Sequence, residues 1–137
     1  MDDVNFRLNH IEDRIELTEL VGRYAQCVAQ GLGEELLGMF TDDGKFVAGE
    51  LIRSGKEELE TVFLGMTYGR LIPSVTNLTF QIDGDRATGS STMHSIKVDA
   101  NIKSYAGFYE DEYVRMDGMW KFSKRHFTFY YDQSNPV

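Results

Sequence analysis

A single cysteine, Cys27, rules out an internal disulfide, and only two prolines, Pro73 and Pro136, interrupt a chain of 137 residues. No stretch approaches the roughly 20 consecutive apolar residues of a membrane-spanning helix. The acidic start MDDVNFRLN also lacks the basic and then apolar build of a signal peptide. Positive charge is scarce: 14 Lys and Arg against 22 Asp and Glu give a formal charge of −8, which opposes attraction to nucleic acid and to anionic membranes. The three histidines form no pair with i, i+4 or strand i, i+2 spacing and no carboxylate completes a ligand set, so no metal site is expected. Repeats, low-complexity tracts and Pro/Gly/Ser linkers are missing. So is a phosphate-cradling loop, because GLG at 31–33 lies between helices rather than after a strand. What these absences leave is one cytoplasmic domain over 1–137, with neither nucleic acid nor membrane as partner and with Cys27 as a small buried hydrophobe.

The residues that are present can build a core, since 42% are hydrophobic and 12% aromatic. Ile11, Ile15, Leu20, Val21, Tyr24, Ala25 and Val28 fall near one stripe of a 3.6-residue period, which predicts an amphipathic helix over about 10–29, stopped by Gly31 and Gly33. Leu36, Leu37 and Phe40 mark a short second helix, after which TDDG turns the chain into a brief strand around Lys45 to Ala48. Ser54 and Glu57 have capping-box spacing ahead of a third helix that buries Leu59, Val62, Phe63 and Met66. From residue 71 the period changes. Four long segments rich in β-branched and aromatic residues are separated by DGD at 83–85, DAN at 99–101 and DG at 117–118, and read as an antiparallel meander. The expected class is α+β: a cone-shaped, strongly curved antiparallel sheet wrapped around N-terminal helices, with a concave interior suited to a small molecule.

RYAQ near the end of the first helix, MFTDDGKF, TNLTFQIDGDRATG and GFYEDEYVRMDGMWKFSKR together resemble the SnoaL-like branch of the nuclear transport factor 2 superfamily. The last segment is similar to scytalone dehydratases, bile-acid dehydratases and hexachlorocyclohexane dehydrochlorinases. The resemblance implies cofactor-free chemistry in the cone, namely proton transfer, elimination, isomerisation or cyclisation of a hydrophobic, oxygenated molecule. Members that only bind or scaffold are the alternative. It also implies a carboxylate about five residues after the helix tyrosine and a histidine a few residues ahead of the strand asparagine. Counted from Tyr24 and back from Asn77, those positions hold Ala29 and Pro73, so the usual acid–histidine pair is expected to be missing.

In the inward register that the resemblance implies, Pro73, Val75 and Asn77 share one strand face, Ser91, Met93, Ser95 and Lys97 a second, and Tyr109, Asp111 and Tyr113 a third. The candidate catalytic groups are Tyr24 and Arg125, which match a functional tyrosine and a substrate-site arginine of relatives, with Asp111, His126 or Lys97 as base. Asn77, Met93, Ser95, Lys97 and Tyr109 are the expected substrate contacts. Each has a structural explanation too: Tyr24 as a core ring, Asn77 bonded at a strand end, Lys97 solvated, Asp111 and Arg125 simply neutralising each other. His94 falls on the outward face by parity, and His126 reaches the inside beside Arg125 only through a bulge. Thr92, His94, Phe108 and FTFYY give the outer face apolar character that suggests a homodimer through the sheet.

Overall fold

The computed structural model describes residues 2–133. Three helices, α1 (Asp2–Gln30), α2 (Gly33–Gly38) and α3 (Lys56–Phe63), pack on a curved, unclosed sheet of six strands. The strands are β1 (Phe40–Ala48), β2 (Leu51–Ser54), β3 (Leu71–Asp83), β4 (Arg86–Val98), β5 (Ile102–Met116) and β6 (Met119–Asp132), in the spatial order β2-β1-β6-β5-β4-β3. Neighbours run antiparallel except β1 and β6, which pair in parallel. The β5–β6 turn falls on Asp117 and Gly118, both at positive φ, as expected of a two-residue hairpin that follows the strand twist.

Helix α1 begins eight residues before its expected start, and its apolar residues divide. Leu17, Val21, Tyr24, Cys27 and Val28 are buried, whereas Ile11 and Ile15 lie on another face and are exposed. The helix ends as a Schellman motif: Leu32 N–H reaches Cys27 O at 2.9 Å while Gly31 takes φ 71°, where a side chain would be strained. Asp13 clamps the other half, accepting from Arg115 Nη1 and Trp120 Nε1, while Glu16 Oε2 accepts the Trp120 backbone N–H at 2.7 Å. Burial pushes the Cys27 thiol up to about 11, which leaves it inert as a nucleophile.

Two local expectations are corrected. TDDG at 41–44 is no turn: β1 runs through it, with a shift in pairing against β6 between Phe40 and Lys45. Ser54 does not cap α3. Gly55 holds the cap position, and Glu58 rather than Glu57 reaches back, taking the Ser54 N–H at 2.9 Å. The main core joins Leu17, Val21 and Tyr24 to Phe40, Phe63, Tyr113 and Phe122 between helices and sheet. A smaller cluster of Met93, Tyr109 and Phe127 lies beside it. At about 1.5–3 kcal/mol for each large side chain buried, the inner sheet face is anchored firmly enough to position polar groups among its rings.

Candidate active site

Asp111 and Arg125 are direct cross-strand partners on β5 and β6. Asp111 faces inward by the parity it shares with Tyr109 and Tyr113, and a bulge in β6 brings Arg125 in beside it. Tyr113 pairs with Phe122 and Glu112 with Lys124, so Ser123 is the extra residue, and the parity of β6 switches between Phe122 and Arg125. Both Phe122 and Arg125 are therefore wholly buried. Arg125 Nε donates to Asp111 Oδ1 at 3.1 Å, and Tyr113 Oη donates to Asp111 Oδ2 at 3.1 Å. Arg125 Nη1 and Nη2 are buried and have no hydrogen-bond partner among the described residues. Instead the guanidinium lies against rings: its Cζ is 3.5 Å from the centroid of Tyr109, 4.3 Å from that of Tyr24 and 4.7 Å from that of Phe122.

Such a site shifts protons. Burial pushes the Asp111 carboxyl up to about 6, against the downward pull of Arg125 and of the Tyr113 hydroxyl. Burial likewise raises the phenols of Tyr24 and Tyr113 and brings Tyr109 to about 12, so near neutral pH all three are protonated donors. Burial works against the charge on Arg125, and Asp111 with the surrounding tyrosines more than offsets it, keeping the cation.

A cavity of about 260 Å³ opens on the inner face of the sheet, walled by residues of β1, β3, β4, β5 and β6. Of the expected substrate contacts, Met93, Lys97 and Tyr109 line it. Tyr109 belongs to both places, since it lines the cavity and stacks on the guanidinium; Asp111 and Arg125 lie beyond it. Ser95 is fully buried on the same face of β4 with no well-directed hydrogen bond, close enough to Tyr105 to oppose the upward push of burial on that phenol. Lys97 Nζ stands 3.9 Å from Asp99 Oδ2. Tyr24 is part of the core, with rings of Phe40, Phe63, Tyr109 and Phe122 around it.

Two candidates are not brought in. Asn77 has φ 57° at a bulge between Thr76 and Thr79, and its side chain is exposed, donating to Thr92 Oγ1 at 3.1 Å. The bulge turns Leu78, Phe80 and Ile82 inward in its place. His126 pairs with Glu110 and lines a separate groove of about 460 Å³ on the outer face, with Glu110, Glu112 and Lys124, because the β6 bulge falls at Ser123 rather than beside Arg125. Ala29 and Pro73 are half-buried. The Ala29 carbonyl accepts the Gly69 N–H at 2.8 Å, and Pro73 stands opposite Ser95; neither lines the cavity.

The sequence reading placed Tyr113 on the inner face without giving it a role, although it holds the second oxygen of Asp111. Tyr105 and Asp132 at the cavity were missed altogether, and Phe127 and Phe129, expected on the outer face with the rest of FTFYY, line the cavity instead, Phe127 being buried beside Met93 and Tyr109. A second shift, between Ala106 and Gly107, carries Asp132 to the inner register opposite Tyr105, and only the aromatic density of FTFYY hinted at it.

Comparison with known proteins agrees with this architecture. The SnoaL-like domain family matches residues 9–126. A Novosphingobium aromaticivorans protein provisionally designated a scytalone dehydratase superposes with a TM-score of 0.83 at 20% identity, covering 100% of this chain and 93% of its own. Hexachlorocyclohexane dehydrochlorinase LinA-type3 from Novosphingobium barchaimii gives 0.79 at 24% identity, covering 96% and 94%. Rv3472 from Mycobacterium tuberculosis, a protein of unknown function, gives 0.80 at 25% identity, covering 93% and 78%. No curated protein sequence matches the chain significantly. With the family matched over most of its length and three helices packed on its curved, open sheet, the chain belongs to the SnoaL-like domain family.

Proposed function

We propose that this chain, acting as one cytoplasmic domain, is a cofactor-independent lyase, isomerase or cyclase for a hydrophobic, oxygenated small molecule. The observation that carries this reading is the buried Asp111–Arg125 pair, whose two remaining guanidinium nitrogens have no acceptor among the described residues while its carboxyl is pushed up to about 6. An unsatisfied buried donor is costly, and an oxyanion forming on a substrate would satisfy it. Asp111 is the proton acceptor, matched to near-neutral pH by burial. Tyr24, Tyr109 and Tyr113 supply hydroxyls and apolar walls, and Met93 and Lys97 bind the substrate's outer part. Ala29 and Pro73 stand where relatives carry their acid and histidine, so the acceptor has moved to β5. His126 and Asn77 have no part in this arrangement.

The structure in which the pair is merely a neutralised charge in a binding protein is the second reading, favoured by the Tyr109 ring between the cavity and Arg125. Exchange separates the two. Cyclic and aromatic ketones with acidic α-protons are incubated with the protein in deuterium oxide and followed by NMR. The enzyme reading requires exchange that Asp111→Asn abolishes while ligand binding persists; binding without exchange by the wild type leaves a binder. A homodimer through the sheet fits the same reading, supported by the adjoining rings of Phe108 and Tyr130, centroids 5.3 Å apart, on the outer face.

A further inference from the structure

Helix α1 carries a second apolar face that its own fold does not use. Val4, Leu8, Ile11 and Ile15 follow one another at spacings of four, three and four residues and are 56%, 51%, 53% and 54% exposed. Their stripe is nearly opposite the one formed by Leu17, Val21, Tyr24 and Val28, which is buried against the sheet and the other helices. Scattered exposed aliphatics are ordinary, but a continuous row at alternating three- and four-residue spacing is the seam of a coiled coil. Ile11, Ile15 and Thr18 line a shallow groove there, and the next seam position is Gly22, above which space is open.

The charges beside the seam say what covers it. Arg7 and Arg14 flank one side, and Glu12 and Glu19 the other, each glutamate five residues after an arginine. In a parallel, in-register pair of such helices, the residue flanking one seam meets the residue five positions later on the other. Arg7 then faces Glu12 of the second copy, and Arg14 faces Glu19. In an antiparallel pair the same flanks meet themselves, arginine against arginine and glutamate against glutamate. We infer that the exposed stripe of α1 docks the same stripe of a second copy of this chain as a parallel two-helix seam. A free helix of two heptads would be marginal. Here α1 is already held, Asp13 by Arg115 and Trp120 and Glu16 by the Trp120 N–H, so pairing does not have to nucleate it. Arg14 keeps one nitrogen on the Phe80 carbonyl at 3.3 Å, which fixes its stem beside the seam. This contact is separate from pairing through the sheet and stands whether or not that pairing occurs.

Full-length variants test it by disulfide trapping and by mass in solution over a concentration series. Val4→Cys is expected to cross-link to its own copy under mild oxidation, since a parallel in-register pair brings residue 4 to residue 4, whereas an antiparallel pair over the whole stripe sets it at the far end of the second copy's stripe. The exposed Glu34→Cys on α2 is the control for random encounter. Leu8→Asp is expected to lower the average mass, and Arg7→Glu to weaken association roughly tenfold, with Arg7→Glu/Glu12→Arg restoring it. All these positions are exposed, and circular dichroism checks that the variants keep the wild-type fold. Cross-linking of Val4→Cys no faster than that of Glu34→Cys overturns the inference. So does a Leu8→Asp mass identical to that of the wild type.

Discussion

Arg125 Nε meets Asp111 Oδ1 at 3.1 Å with both side chains sealed from solvent, while a tyrosine holds the other carboxylate oxygen and three aromatic rings surround the cation. Deleting either side chain of such a pair leaves the other buried without its hydrogen-bond partner.

Asp111→Leu leaves Arg125 Nε and the Tyr113 hydroxyl buried without their acceptor as well as without a counter-charge, and is expected to destabilise the protein by about 3–5 kcal/mol in urea denaturation. Replacing both, Asp111→Leu with Arg125→Met, should recover much of that loss because no charge remains inside. A single variant as stable as the wild type would mean that the pair is not desolvated.

The pH dependence follows from the same carboxyl. Its pKa is about 6 in the folded protein against an ordinary 3.8, so the unfolded chain releases this proton first. The stability contributed by this group is thus fully present below about pH 4 and is lost as pH rises through 6. The unfolding free energy of the wild type minus that of Asp111→Asn should fall from pH 4 to pH 7.5. A difference that stays flat would place the carboxyl's pKa near its ordinary value. A reaction using Asp111 as base should show the opposite trend in rate, rising through pH 6 as the carboxylate forms.

Gly107 lies on β5 between Tyr105 and Tyr109, and a methyl group added there would meet Thr128 O at 2.0 Å and Phe127 Cζ at 2.6 Å. Gly107→Ala must push β6 outward or Phe127 into the cavity, at about 1–3 kcal/mol or more. Thermal denaturation and ligand titration should both register it, as a lower midpoint and weaker binding. Unchanged values for both would show that β5 and β6 part easily here.

Ala29→Asp together with Pro73→His tests the proposed place of the relatives' acid and histidine. The double variant should lose about 1–4 kcal/mol, through a buried charge and a released backbone constraint. A carboxylate beside the imidazole should raise the histidine's pKa above that in Pro73→His alone, as read by NMR titration. Identical titrations would show that residues 29 and 73 do not meet.

The long strands were legible because turn chemistry brackets them: DGD and DG fix the ends of β3 to β6 to within a residue or two, and four aromatic, β-branched segments leave little choice of class. Two things were not. Helix α1 has two apolar faces, and a reading that seeks one stripe merges Ile11 and Ile15 with residues they do not adjoin. Strand parity, in turn, holds only between bulges. The shift at Ser123, a residue with no conformational signature, brought Arg125 in and left His126 out. The shift at Asn77 had a readable cue, since asparagine tolerates positive φ better than most residues, and overlooking it put that side chain on the wrong face.

Strand β3 forms one border of the open sheet, so among the described residues one side of its backbone has no neighbouring strand. A long border with free N–H and C=O groups invites a stray strand from another molecule. Pro73 offers no N–H there, and the kink at Asn77 breaks the straight run a few residues on. Pro73 thus has a value unrelated to chemistry: it blunts a surface on which chains could otherwise polymerise. Pro73→His would expose that surface, and growth of thioflavin-binding aggregates on prolonged incubation is where the exchange of one residue for the other would be felt.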